Sequence, residues 1–210
     1  MSHPPSVTYA SGAIVRLIGS DLMTEPTTAA LLRRLAPVSD GAHSTILDER
    51  QLALLAAVAA RLVPQTERTA AIDLVGSFHR RLVEGTGVGW RYAELPAAAV
   101  MHRTGLAALN ASAAAAFGSE FVELQAAQQD ELLRTVQSGK TWPVAWRGID
   151  PAMWFEELLA TLVDIFYAHP LAQDDIGFAG MADAHGWPDV GLGAREVYEP
   201  EPVPGEQLGA

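Results

Sequence analysis

Cysteine is absent from this 210-residue chain. Its absence removes disulfides, thiolate zinc sites, cysteine-ligated iron–sulfur clusters, covalently attached c-type haem and a cysteine nucleophile together. Lysine is nearly missing: Lys140 stands alone and arginine supplies the other positive charges. With so much alanine this reads as coding bias, and no individual arginine is given a function on that ground. Long apolar runs are missing as well. The longest, Leu52 to Ala60, falls short of the ~20 residues that span a bilayer, so no direct membrane insertion is expected. Basic charge is scarce: the net charge is -11, and from Glu156 onward eleven acidic residues face only Arg195. Nucleic acid, whose affinity rests on phosphate neutralisation by Lys and Arg, is not an expected partner. The acidic end reads either as a solubilising tail or as a surface for a basic partner. Met1-Ser2-His3-Pro4-Pro5 does not open a secretory signal, and Arg33-Arg34 is followed by Leu35-Ala36-Pro37 and then polar residues. A cytoplasmic location is therefore favoured.

What is present is helical periodicity. Hydrophobic residues make up 49%, enough for a globular core in a chain of this size. Residues 8–18 fit a short helix or a strand equally, and residues 1–24 are left open. A short helix is expected over Glu25–Leu35, with Pro26 in its first turn. The next starts at a capping-box-like Thr45/Asp48, turns Leu52, Leu55, Ala59 and Leu62 inward, and stops at Pro64. Another runs from about Arg68 to Glu84 with Ile72, Val75, Phe78, His79 and Leu82 on one stripe. The glycines at 85, 87 and 89 follow a helix, not a strand, so they are no dinucleotide fingerprint. Pro96 opens an alanine-rich helix to Phe117, with Val100, Leu106, Leu109 and Ala113 inward and Gly118 as its cap. Phe121 and Leu124 tether a turn, and Ala126–Gln137 buries Leu132, Leu133 and Val136. Asp150-Pro151 is an N-cap and N1 pair opening the last long helix, with Trp154, Leu158, Leu162 and Ile165 inward. The expected fold is all-α: a single helical domain of about six helices with an irregular C-terminal tail. Its organisation reads as an N-terminal extension (1–43), a helical domain (44–169) and an acidic tail (170–210) that packs on the domain or on a partner.

Candidate chemistry is thin. His169, Asp174, Asp175, Asp183 and His185 have metal-ligand character, but their spacing matches no compact motif, and turn or cap roles suit them better. Ser112 has no nucleophile elbow around it. His79 and His102 lie beside apolar stripes as packed or surface histidines, and the adjacent Glu156 and Glu157 point in different directions. The aromatics are more telling: Trp142, Trp146, Trp154, Phe166, Tyr167, Phe178 and Trp187 all follow residue 140. They read either as a cap on the core or as a docking surface.

Several features in order carry a family likeness: Leu62-Val63-Pro64; Gly105-Leu106 with Leu109; Phe117-Gly118 with Phe121, Leu124, Gln128-Gln129 and Leu132-Leu133; and Trp154-Phe155 leading to Phe166-Tyr167-Ala168-His169-Pro170 and Gly186-Trp187. Over residues 45–191 the chain resembles the gluconate 2-dehydrogenase subunit 3 family, small subunits of bacterial sugar dehydrogenases. The resemblance implies a non-catalytic accessory subunit that stabilises or matures a large FAD-dependent oxidoreductase of the glucose-methanol-choline type. FAD is then expected in the partner and no cofactor or metal in this chain, with a cytochrome subunit as a further partner. No catalytic residue carries over. The docking residues expected are Tyr167, His169, Phe178 and Trp187. The chain departs from the family in lacking a twin-arginine export signal, although a periplasmic or membrane-associated complex is the family's alternative. Ala172-Gln173-Asp174-Asp175 also stands where the family has Gly-Gly-Asn. Other readings are a stand-alone metal-dependent enzyme using the tail's His and Asp residues, and an unrelated helical interaction protein.

Overall fold

The structure is a computed structural model that describes residues 8–9, 12–36, 46–66, 68, 70–86, 92–141, 144–181, 183, 186–189 and 191–203. Among these the chain is all-α. In order, the helices are α1 (Ala13–Leu17), α2 (Glu25–Leu35), α3 (Glu49–Leu62), α4 (Leu74–Glu84), α5 (Ala98–Phe117), α6 (Ala126–Gln137), α7 (Pro151–Tyr167) and α8 (Pro170–Asp175), with a 3-10 turn at Phe121–Glu123. A two-residue antiparallel bridge joins β1 (Thr8–Tyr9) to β2 (Pro202–Val203). Two compact units result: residues 38–166, and residues 1–37 together with 167–210.

In the first of these, α5 meets α3, α4, α6 and the 3-10 turn. Its broad buried face, Met101, His102, Gly105, Leu106, Leu109, Ser112 and Ala113, follows from that central position. Small residues allow close approach. Trp154 of α7 is fully buried, and a Cβ at position 105 would lie 2.0 Å from its Nε1. The Trp146 indole N–H donates to Ser112 Oγ at 3.0 Å, and that hydroxyl donates to Ala108 O at 2.8 Å. Ser112 is thereby satisfied within the core. Polar clamps join other elements. Arg61 of α3 makes a bidentate pair with Asp130 of α6, both contacts 2.7 Å. Arg81 of α4 bonds Asp164 of α7 at 2.5 Å.

Four expectations from the sequence shift here. The cap of α3 is Asp48, whose side chain accepts from Gln51 N–H while Gln51 reaches back to Asp48 N–H; Thr45 lies outside the described residues. The helix expected from Arg68 begins only at Leu74, because Asp73 caps it by accepting from Gly76 N–H. Ile72 is held before the helix by two bonds to the Gln65 side chain. Its burial belongs to that loop. Val100 is 44% exposed, and Met101 and His102 take the buried places at the start of α5. Leu52 and Leu62 are half-buried, while Leu54 and Val58 are buried with Leu55 and Ala59.

The other unit is built on α8, which meets α1 and α2. This short helix lies in the stretch expected to be irregular. It carries no long-range periodicity, but Pro170 fits N1 and His169 caps it through Nδ1, which accepts from Leu171 N–H at 3.2 Å. Ile14, Leu31, Ala172 and Ala179 form the small buried centre.

Candidate docking surface

The acidic residues that follow α7 have structural duties. Asp174, on α8, accepts the backbone N–H groups of Gly12 and, at 2.8 Å, Ile14, and so caps α1 from 160 residues away. Asp183 accepts Thr24 N–H at 2.9 Å and also the Thr24 hydroxyl, at the N-cap of α2. Four orphan N–H groups at each helix start and the positive end of the helix dipole favour a carboxylate there. Glu196 is buried and accepts from Asp189 N–H at 2.8 Å, and Glu199 accepts from Glu196 N–H at 2.9 Å. His185, the remaining histidine considered as a ligand, lies outside the described residues. Among the described residues no group of three or more His, Asp or Glu side chains is placed to hold a metal ion.

The late aromatics divide into two sets. Trp146 and Trp154 are core residues with ring centroids 5.2 Å apart. Phe166 is half-buried, with the Arg68 guanidinium 5.6 Å from its centroid. Trp142 lies outside the described residues. Tyr167, Phe178 and Trp187 are by contrast 47%, 45% and 43% exposed. The fold brings Phe178 and Trp187 together around Gly180: a Cβ there would meet Phe178 Cε2 at 2.7 Å and Trp187 Cη2 at 3.2 Å. Tyr167 and His169 stand at the α7–α8 junction, where Arg34 donates to Ala168 O at 3.1 Å.

One ring of this surface escaped the sequence reading. Tyr198 lies against Trp187, centroids 5.9 Å apart at 59°, and its hydroxyl donates to Gly186 O at 3.4 Å. Its setting, an aromatic among Glu196, Glu199 and Glu201, was the available signal. Desolvation raises its phenol above the ordinary value, and Glu196, Glu199 and Asp183 push it further the same way.

His102 is placed as a core residue, out of reach of a substrate. His102 is buried, with the Phe78 ring edge-on at 4.8 Å, and desolvation lowers it from 6.5 to about 3, which keeps it neutral. Glu156 accepts the Tyr92 hydroxyl at 3.1 Å.

Among the described residues these features define an all-helical protein in which Asp174, Asp183, Glu196 and Glu199 accept backbone N–H groups, and in which several aromatic rings of the last segment are exposed. Residues 49–181, more than half the chain, match the family described as gluconate 2-dehydrogenase subunit 3, and the chain belongs to that family. Comparison with curated proteins and with solved structures gives no match.

Proposed function

We propose that this chain is the non-catalytic small subunit of a dehydrogenase complex. It binds, stabilises or matures a large FAD-dependent subunit of the glucose-methanol-choline type that oxidises a sugar or alcohol. Membership of the subunit 3 family over residues 49–181 is the observation that carries this reading. Support comes from the exposure of Tyr167, Phe178 and Trp187, since aromatic side chains beside a polar rim are typical of protein interfaces. FAD belongs to the partner in this reading, a cytochrome subunit is the onward electron carrier, and Tyr167, His169, Phe178 and Trp187 face the partner.

Co-expression with the adjacent reading frame is the direct test. A yellow flavoprotein that co-purifies with this chain and alone carries the dehydrogenase chemistry is the expected result. Sugar oxidation or tight flavin binding by the isolated chain would sink the proposal. Within the complex, Trp187→Ala is expected to weaken partner binding while leaving the melting temperature nearly unchanged. Equal losses in both would mean that the ring caps the core of its own unit.

A further inference from the structure

The surface around Gly180 differs from an ordinary solubilising face in two respects. Its rings are exposed yet held in place. A Cβ at Gly180 would press on Phe178 and crowd Trp187, and Trp187 leans on Tyr198 at 5.9 Å between centroids. Carboxylates also border those rings: Glu199 follows Tyr198 in the chain and its carboxylate folds back to accept Glu196 N–H at 2.9 Å, and both charges add to the desolvation that raises the Tyr198 phenol. Among the described residues the hydrogen-bond donors to Glu196 and Glu199 are backbone N–H groups, which orient the carboxylates without cancelling their charge. Arg195 is the one cation in residues 167–203, and it bonds Glu201 at 2.7 Å.

An aromatic face is negative at its centre, and carboxylates beside it deepen that potential. An anionic partner is repelled. An apolar one would have to strip water from charged groups and leave them unpaired. A cation gains from both the rings and the charges. Resting on the accessory-subunit reading, we propose that the Trp187–Tyr198 pair, flanked by Glu199 with the buried Glu196 behind it, seats an arginine or lysine side chain on a basic segment of the partner protein.

The test uses the full chain and its co-purified flavoprotein, with Kd followed between about 50 mM and about 500 mM salt. Trp187→Leu, which keeps an apolar side chain but loses the ring, is expected to raise Kd about 5- to 30-fold. Trp187→Phe should recover most of that loss. Glu199→Gln should weaken binding several-fold and flatten the salt dependence, and it keeps the test open should Trp187→Leu fail to fold. A Kd indifferent to salt and to Glu199→Gln, with Trp187→Phe no better than Trp187→Leu, would overturn the cation seat and leave an apolar contact. Wild-type affinity in every variant would move docking away from this surface without touching the accessory role. If the wild-type chain forms no complex, the accessory role falls, and this inference with it.

Discussion

Position 105 lacks a side chain, and Trp154 occupies the space that one would need. Replacing Gly105 by Ala has two opposed effects. Helix propensity favours alanine in the middle of α5 by about 1 kcal/mol. A Cβ would sit 2.0 Å from Nε1 and 2.3 Å from Cε2 of a fully buried indole, and overpacking of that kind costs about 1–3 kcal/mol. The clash is with a ring that has no free space to move into, so it wins. Gly105→Ala is expected to lower the urea midpoint, with a net loss of up to about 2 kcal/mol by denaturant unfolding. His102, one turn earlier on the same face, makes stability depend on pH. Its folded value lies at about 3, below the ordinary 6.5, so the unfolded chain binds the proton first as pH falls. The stability that neutral His102 contributes is complete above about 6.5 and drains away between 6.5 and 3. At its steepest the slope is ~1.4 kcal/mol per pH unit. Urea midpoints measured across this window should fall on acidification, and His102→Leu should flatten that part of the curve. Unchanged steepness in the variant would assign the loss to other groups.

Among the elements, α1 and α2 depend on caps that come from far along the chain. Neither Gly12 nor Thr24 caps its own helix with a side chain; Asp174 and Asp183 supply the carboxylates. Losing a cap costs about 1 kcal/mol, and α1 has only five residues to absorb it. Asp174→Ala and Asp183→Ala should therefore speed hydrogen exchange in α1 and α2 respectively, with α3 to α6 unaffected. If either variant instead lost a bound metal, the capping role would be the wrong one. The longer helices were legible because their signals are local. Glu25–Leu35 and Ala126–Gln137 have the expected ends, and Asp150 accepts Met153 N–H at 2.9 Å as an N-cap should. The start of α4 was misplaced because an apolar stripe through Ile72 continues the helical spacing, while the Gln65 side chain holds that residue in a loop. α8 was missed because six residues are too few for a period to emerge.

At the scale of the molecule, the family match runs from 49 to 181 and so includes α7, α8 and Phe178. It stops short of Trp187 and Tyr198. Residues 38–166 contain their own core, centred on Leu55, Phe78, Leu106, Leu109, Phe121 and Trp154. A fragment of that span is expected to fold cooperatively, as a helical domain with its own core does. It should fail to co-purify the flavoprotein that the full chain retains, since Phe178, Trp187 and Tyr198 lie outside it. Far-UV circular dichroism with a melting curve checks the first point and co-expression the second. Full retention of the partner by the fragment would place docking on the helices of residues 38–166.

Composition and periodicity by themselves determined the all-α class, the exclusion of thiol chemistry and the faces of the long helices, because helix spacing and caps act within a turn or two. Motif order likewise carried the family. Only the tertiary structure decided which late aromatics are core and which are surface. Trp146 and Trp187 both lie in irregular segments and look alike in the chain; one is buried and the other 43% exposed. It also decided that Asp174 and Asp183 serve helix starts and that the half-buried Tyr198 packs against the exposed Trp187. These outcomes turn on partners about 160 residues apart, or on rings meeting across an irregular segment, and no local pattern encodes such a meeting.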